Sequence, residues 1–299
     1  MSPPTRLVLI EGSIGAGKTT ATAILAEQLR ADLAGTRVGV VAVAEGDVDH
    51  PADLERVAAV DEATFDALLE AHPIHADALR AVASPSTVPG VRLVRYGVLE
   101  RDHRAVPASM VQALAAHDAY ELALLEHVRH RMAHWREFVR RVGSGTDVWV
   151  LDCCAIQNPV TVALVRDDAP IEVSVDLVTG LLDAAATLSP VVVHLRPSDP
   201  GAAFERAVAE RPAWWRDHVI GYYTGRRLGR RLNATGVEGT VEVLRHRAEA
   251  EEQALAAAET HGVRVSRVTT DDADSVEEAL ASISAAVAAG WSAADDTRT

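Results

Sequence analysis

With 299 residues, 48% of them hydrophobic, the chain is long enough to bury a full core without disulfides or structural metals. Its formal charge of -14, from 43 acidic against 29 basic residues, excludes broad adhesion to nucleic acid or to an anionic membrane, because phosphate surfaces demand a net basic face. No apolar run approaches the roughly 20 residues that span a bilayer. The two cysteines, Cys153 and Cys154, are neighbours and poorly disposed to pair, and Met1 to Thr5 is short and polar, unlike a secretory signal, so the expected setting is reduced and cytoplasmic.

In chain order, Arg6 to Glu11 is an apolar, β-branched run that stops at Gly12, which predicts a buried strand. Thr19 to Leu33 follows as a helix with Ile24, Leu25 and Leu29 on one face. Val38 to Ala44 is apolar without polar alternation, as in parallel strands covered on both faces. Asp53 to Ala83 suggests one or two short helices and Ser109 to Val142 one or two long ones. Further strands are expected at Val148 to Leu151, Val191 to Leu195 and Val263 to Val268. Between and after them, helices are expected at Ile171 to Leu188, Gly201 to Ala209, Val241 to Thr260 and Ser275 to Ala289. Strands alternating with helices imply a doubly wound α/β domain with a mostly parallel sheet and helices on both faces. One domain over residues 1–290, carrying insertions, and a loose tail from Trp291 to Thr299 complete the expectation.

Gly12-Ser13-Ile14-Gly15-Ala16-Gly17-Lys18-Thr19 matches the spacing of a phosphate-binding loop between a strand and a helix. Glycine permits the backbone conformations that turn successive N–H groups inward. The following helix aims its free N–H groups and positive end at the same point, with Thr20 in its first turn. Lys18 suits the β- and γ-phosphates of a nucleoside triphosphate, and the Thr19 hydroxyl suits Mg²⁺. ATP and Mg²⁺ are therefore the expected cofactors.

Asp152 ends the strand from Val148 and is the candidate second ligand for Mg²⁺, against the plainer reading of a surface or capping carboxylate. The strand ending near Ala44 runs into Glu45-Gly46-Asp47, and ligands of open α/β sheets lie beyond the carboxyl ends of strands. Glu45 is the candidate base for an acceptor hydroxyl, with Asp47 in reserve; the same acids also suit a turn that caps the next helix. Arg206, Arg211, Arg226, Arg227, Arg230 and Arg231 form a basic island from about residue 201 to 235, around Trp214, Trp215, Tyr222 and Tyr223. Guanidinium groups on an element that closes after binding would steady a migrating phosphoryl group; on a solvated helix face they would merely pair with neighbouring glutamates.

With these features in this order, the chain resembles the nucleoside and nucleotide kinases, the deoxynucleoside kinases and thymidylate kinase above all. Leu9 to Thr20 is similar to the deoxynucleoside kinase loop. The resemblance implies a three-layer P-loop fold, Glu45 as the base near a sugar hydroxyl, Arg206 and Arg211 in the lid, and Gln112 as a base-reading side chain. The chain departs from the family after Asp152, where Cys153 and Cys154 stand in place of an acceptor-holding Arg. The stretch Cys153 to Pro159 would then shape a different acceptor pocket.

His130 and His134 share a helix face but lack a flanking glutamate, and Arg129, Arg131 and Arg136 make that face read as charged and exposed rather than metal-binding. The expected activity is transfer of the γ-phosphate of ATP to a small hydroxyl or phosphate acceptor, such as a nucleoside-like compound or a secondary metabolite of the antibiotic kind. No nucleic-acid or membrane partner is expected, and a homodimer is compatible with the reading. The rival class is a nucleotide-dependent ATPase switch that acts through a protein partner.

Overall fold

The computed structural model describes residues 4–295. Two compact units divide the chain: residues 1–45 with 142–299, and residues 46–141. In chain order the first unit opens with strand β1 (Leu7–Gly12), helix α1 (Lys18–Asp32) and β2 (Val40–Val43). The second unit carries β3 (Ala58–Asp61), α2 (Glu62–Ala71), α3 (Ala76–Ala81), β4 (Ala83–Pro85), β5 (Val91–Val94), α4 (Tyr96–Asp102), α5 (Ala108–Ala115) and nearly all of α6 (Leu124–Gly143). The chain then returns to the first unit through β6 (Val148–Asp152), α7 (Gln157–Val160), α8 (Ile171–Ala184) and β7 (Val191–Arg196). It ends with α9 (Pro200–Glu210), α10 (Ala213–Gly225), α11 (Arg227–Arg231), α12 (Gly236–Thr260), β8 (Arg264–Thr269) and α13 (Ala273–Asp295).

The first unit is an α/β structure built on a five-stranded parallel sheet of order β2-β6-β1-β7-β8, flanked by helices. Its central strands are the apolar runs of the sequence. Val8, Ile10, Val148, Val150 and Val193 pack with Leu25 and Leu29 of α1 and with Leu280 and Val287 of α13. The alternate residues Leu7, Leu9, Leu151 and Val192 are equally enclosed, so the sheet is apolar on both faces, which is why these strands show no polar alternation. β2 is different: Val40 and Val41 are half-buried and Ala42 is exposed, because β2 is an edge of this sheet, not an interior strand.

The second unit is built on an antiparallel sheet, β3-β5-β4, in which Ala58 faces Val94 and Ser84 faces Leu93. Val60, Phe65, Leu68, Leu79, Leu99, Met110 and Leu114 form its main core. β3 lies inside the stretch Asp53 to Ala83 that was expected to be helical, while β5 and most of β4 lie in residues 84–108, where no element was expected. These strands are three or four residues long, too short to display a period, and β4 ends on Pro85 at an edge, where a missing N–H costs no ladder bond. At the other end of the chain, α13 continues through Asp295, beyond Trp291 where a loose tail was expected; residues 296–299 lie outside the described ones. No helix of the described residues is long and apolar enough to cross a membrane.

Candidate functional site

β1 delivers the chain into a tight loop, and α1 starts immediately after it. Gly12 has φ 140°, and a Cβ there would lie 2.0 Å from the carbonyl oxygen of Leu195 on β7. Gly15, at φ 82°, comes so close to α9 that a Cβ would sit 2.7 Å from the Ala203 carbonyl oxygen. A side chain would force the loop off β7 at Gly12 and off α9 at Gly15. Gly17, left-handed at φ 80°, is the N-cap of α1 and offers no side chain to its first turn. The N–H groups there keep the unmet donors that every helix start leaves, with the positive end of the helix behind them.

Lys18 is buried, and its Nζ donates to the carbonyl oxygen of Ser13 at 2.8 Å, so the ammonium folds back over the loop. Burial works to lower its pKa, but the negative surroundings, with Glu45 and Asp152 among them, raise it above the ordinary lysine value. Lys18 is thus a fixed positive charge. Thr19 and Thr20 are exposed in the first turn, and Thr19 Oγ1 donates to Asp152 Oδ2 at 3.2 Å. Parallel pairing of β1 with β6 sets this up, since it places Asp152 beside Ile10 at the carboxyl end of the sheet.

Beyond Asp152 the chain turns sharply through Cys153, a non-glycine residue at φ 61°. The Cys153 thiol is enclosed between two carboxylates that share its single S–H, with Asp152 Oδ1 at 2.9 Å and Glu45 Oε2 at 3.2 Å. Burial pushes that thiol well above its ordinary pKa, so it stands protonated at neutral pH. Burial likewise raises Asp152 above the usual carboxylate range. Gln157, at the start of α7, donates from Nε2 to Glu45 Oε1 at 2.8 Å. Glu45 therefore has one oxygen held by an amide and the other by a thiol, while the residue itself is exposed. Glu45, Asp152 and Cys153 each bring one potential ligand atom within 4.8 Å of the others; the two carboxylate oxygens suit a hard divalent cation, and the protonated thiol does not.

Glu11 supports this edge from below. It is fully buried in β1, and its two oxygens accept the backbone N–H groups of Ala155 at 2.7 Å and Gln157 at 2.8 Å. Those bonds fix the turn that carries Cys153 and Gln157. Burial raises the Glu11 pKa to about 8. Next to it in register, His194 of β7 approaches Glu251 of α12, and Glu251 pairs with Arg247 at 3.0 Å. Arg247 also donates to the hydroxyl of Tyr223 at 2.8 Å. Arg247 and Glu251 are both enclosed, so each charge depends on the other.

Of the residues singled out from sequence, Gly12, Ser13, Gly15, Ala16, Gly17, Lys18, Thr19, Thr20, Glu45 and Asp152 gather at one edge of the first unit. Asp47 is exposed and uses Oδ1 to accept the Asp49 N–H at 3.0 Å, a local turn in the second unit. Gln112 is exposed on α5, also in the second unit. Arg206 is exposed on α9, one turn from the Ala203 that backs Gly15. Arg211 stacks over the Trp215 ring at 4.5 Å, and Arg231 is committed to a two-pronged pair with Asp168 at 2.6 and 2.8 Å. Sequence reasoning missed Glu11, Gln157, Arg247 and Glu251. An acid inside an otherwise apolar strand was the available sign for Glu11; nothing local marks the other three. Neither the protein-family models nor the curated proteins contain a match to this chain.

Proposed function

We propose that this chain is an ATP-dependent phosphotransferase of the P-loop kind, moving the γ-phosphoryl group to a small-molecule hydroxyl. The contact of the Thr19 hydroxyl with Asp152 carries the reading: residues 133 apart in sequence meet beside the glycine loop as a metal-binding pair would. The donor set fits both cofactors. An ammonium, a hydroxyl and a carboxylate converge at the start of α1, where the first-turn N–H groups have no partner within the helix. When bound, ATP with Mg²⁺ supplies the transferable group and offsets its charge.

Lys18 would leave the Ser13 carbonyl for the phosphate oxygens, and Thr19 with Asp152 would hold the cation. Glu45 would accept the hydroxyl proton of the acceptor as the new O–P bond forms, its carboxylate steadied by Gln157. Arg206 and Arg211, both exposed, would meet the migrating charge from α9 and its C-cap. The acceptor is a nucleoside-like or secondary-metabolite hydroxyl, bound beside the Cys153 turn, where the deoxynucleoside kinases that the loop resembles keep an Arg. Because catalysis here is positioning and charge, no covalent enzyme intermediate is involved.

Titration calorimetry with ATP and Mg²⁺ tests the seat: the wild-type chain releases or absorbs heat on binding, and Lys18→Ala does not, while its thermal melt is unchanged. Glu45→Gln lowers turnover by about 10²–10⁴ with ATP affinity preserved, the range for losing a general base. Unaltered turnover in Glu45→Gln would remove this residue from the chemistry, and absence of ATP binding by the wild type would end the reading.

A further inference from the structure

The second unit contains a cluster of cationic and imidazole groups for which the phosphotransferase reading has no use. Three guanidinium groups converge on three successive carbonyls of one loop, two of them from enclosed side chains and one from the exposed Arg141. Arg95 donates to His50 O at 3.1 Å, Arg141 reaches Pro51 O at 3.5 Å, and Arg131 donates to Ala52 O. Arg131 is balanced by Asp53 at 3.0 Å. Arg95 has no carboxylate within ion-pair distance among the described residues, and burial depresses its pKa. A largely enclosed guanidinium whose direct hydrogen bond is to a carbonyl, with Asp47, Asp49 and Asp53 acting on it only from beyond ion-pair distance, is better satisfied when an anion meets it directly.

Two histidines share this neighbourhood. His50 is only 4% exposed; its Nδ1 accepts the Ala52 N–H at 3.2 Å, which leaves the proton on Nε2. That Nε2 is buried and has no hydrogen-bond partner. The Nε2 of His134, on the same face of α6 as Arg131 and Arg141, is also buried without a partner. Both imidazoles feel the charges of Arg95 and Arg131, and His134 that of Arg141 as well; Asp53 acts on both with the opposite sign, and Asp47 on His50. Asp49, which also faces Arg95, is engaged by Arg101 at 2.6 Å. Buried polar groups are paired in nearly all folded proteins, so two unmet imidazole nitrogens beside a guanidinium with no direct ion pair point to a missing acceptor.

We infer that Arg95, Arg141, His50 and His134 form an oxyanion-binding site for a phosphomonoester within the second unit, made of residues other than those of the glycine loop. A phosphoryl group has three terminal oxygens and accepts from several N–H donors at once, including a guanidinium fork. A carboxylate offers fewer lone pairs and less charge to a cluster of two arginines and two imidazoles. The inference does not rest on the kinase reading, because the residues, the ligand and the assay are different.

The test uses the full chain carrying Lys18→Ala, so that the glycine loop cannot report. Calorimetry with inorganic phosphate, phenyl phosphate and malonate is run on this variant and on Lys18→Ala with Arg95→Gln. Phosphate and phenyl phosphate binding to the first, weakened about tenfold or more in the second, is expected, the scale of one lost charge-assisted hydrogen bond. No phosphate binding once Lys18 is removed, binding indifferent to Arg95→Gln, or tighter binding of malonate than of phosphate would each overturn the assignment. Should Arg95→Gln fail to fold, the imidazole ¹⁵N signals of His134, assigned through His134→Gln, decide the matter in the Lys18→Ala chain. They shift with phosphate if the site exists and stay still if it does not. A wild type that ignores ATP while Lys18→Ala still binds phosphate would end the kinase reading and leave this one standing.

Discussion

At the scale of single residues, the loop after β1 depends on atoms that are missing. Gly12 is the clearest case, because two independent constraints act on it: a positive φ and a carbonyl oxygen 2.0 Å from where a Cβ would be. Gly12→Ala is expected to destabilise the first unit by about 3 kcal/mol or more, since backbone must move and a strained conformation be held. Urea melts measure this, and a loss below about 1 kcal/mol would mean that the loop has slack. The motif spacing made Gly12 legible in the sequence. Gln157 was not legible, because its tie to Glu45 spans 112 positions and only folding creates it.

At the scale of elements, helices were read well wherever the apolar period was long, and less well where ends and short pieces mattered. α9 shows what an end needs. Pro200 occupies its first turn, and Asp199 accepts the N–H groups of Gly201 at 2.9 Å and Ala202 at 3.1 Å. Asp199→Ala should therefore cost about 1 kcal/mol, the usual worth of an N-cap, and should loosen the turn of α9 that backs Gly15. Chemical denaturation together with amide exchange of α9 measures both effects; unchanged exchange would assign the helix start to Pro200 alone. The arginines of the basic island are spread over α9, its C-cap and the α10–α11 junction: Arg211 lies over the Trp215 ring, Arg226 over the Tyr222 ring, and Arg231 pairs with Asp168 from another part of the chain.

At the scale of the whole molecule, buried titrating groups make stability depend on pH in two opposite senses. Glu11 has a folded pKa of about 8 against an ordinary 4.5, so the folded chain keeps a proton that the unfolded chain releases. Its contribution is complete below pH 4.5 and falls as pH rises toward 8. His50, lowered to about 4 from 6.5, has the reverse sign: its contribution is present above pH 6.5 and is lost as pH falls to about 4. The interval from pH 6.5 to 8 therefore belongs to Glu11. Thermal melts across it should show the wild type losing stability with rising pH and Glu11→Gln staying flatter; parallel curves would mean that Glu11 is charged in the folded state.

The sequence by itself determined that the chain is α/β, that its central strands are apolar on both faces, and that a glycine loop separates β1 from α1. These are local properties: period, β-branching and backbone freedom act within a few residues of one another. Only the tertiary structure decided that the chain forms two units with a separate antiparallel sheet, that β2 is an edge, and that Glu11 sits beneath the Cys153 turn. It alone brought Thr19 to Asp152, Glu45 to Gln157, and the unmet nitrogens of His50 and His134 to the neighbourhood of Arg95. Such contacts join residues far apart in the chain, and their strength comes from burial, which no short stretch of sequence can specify.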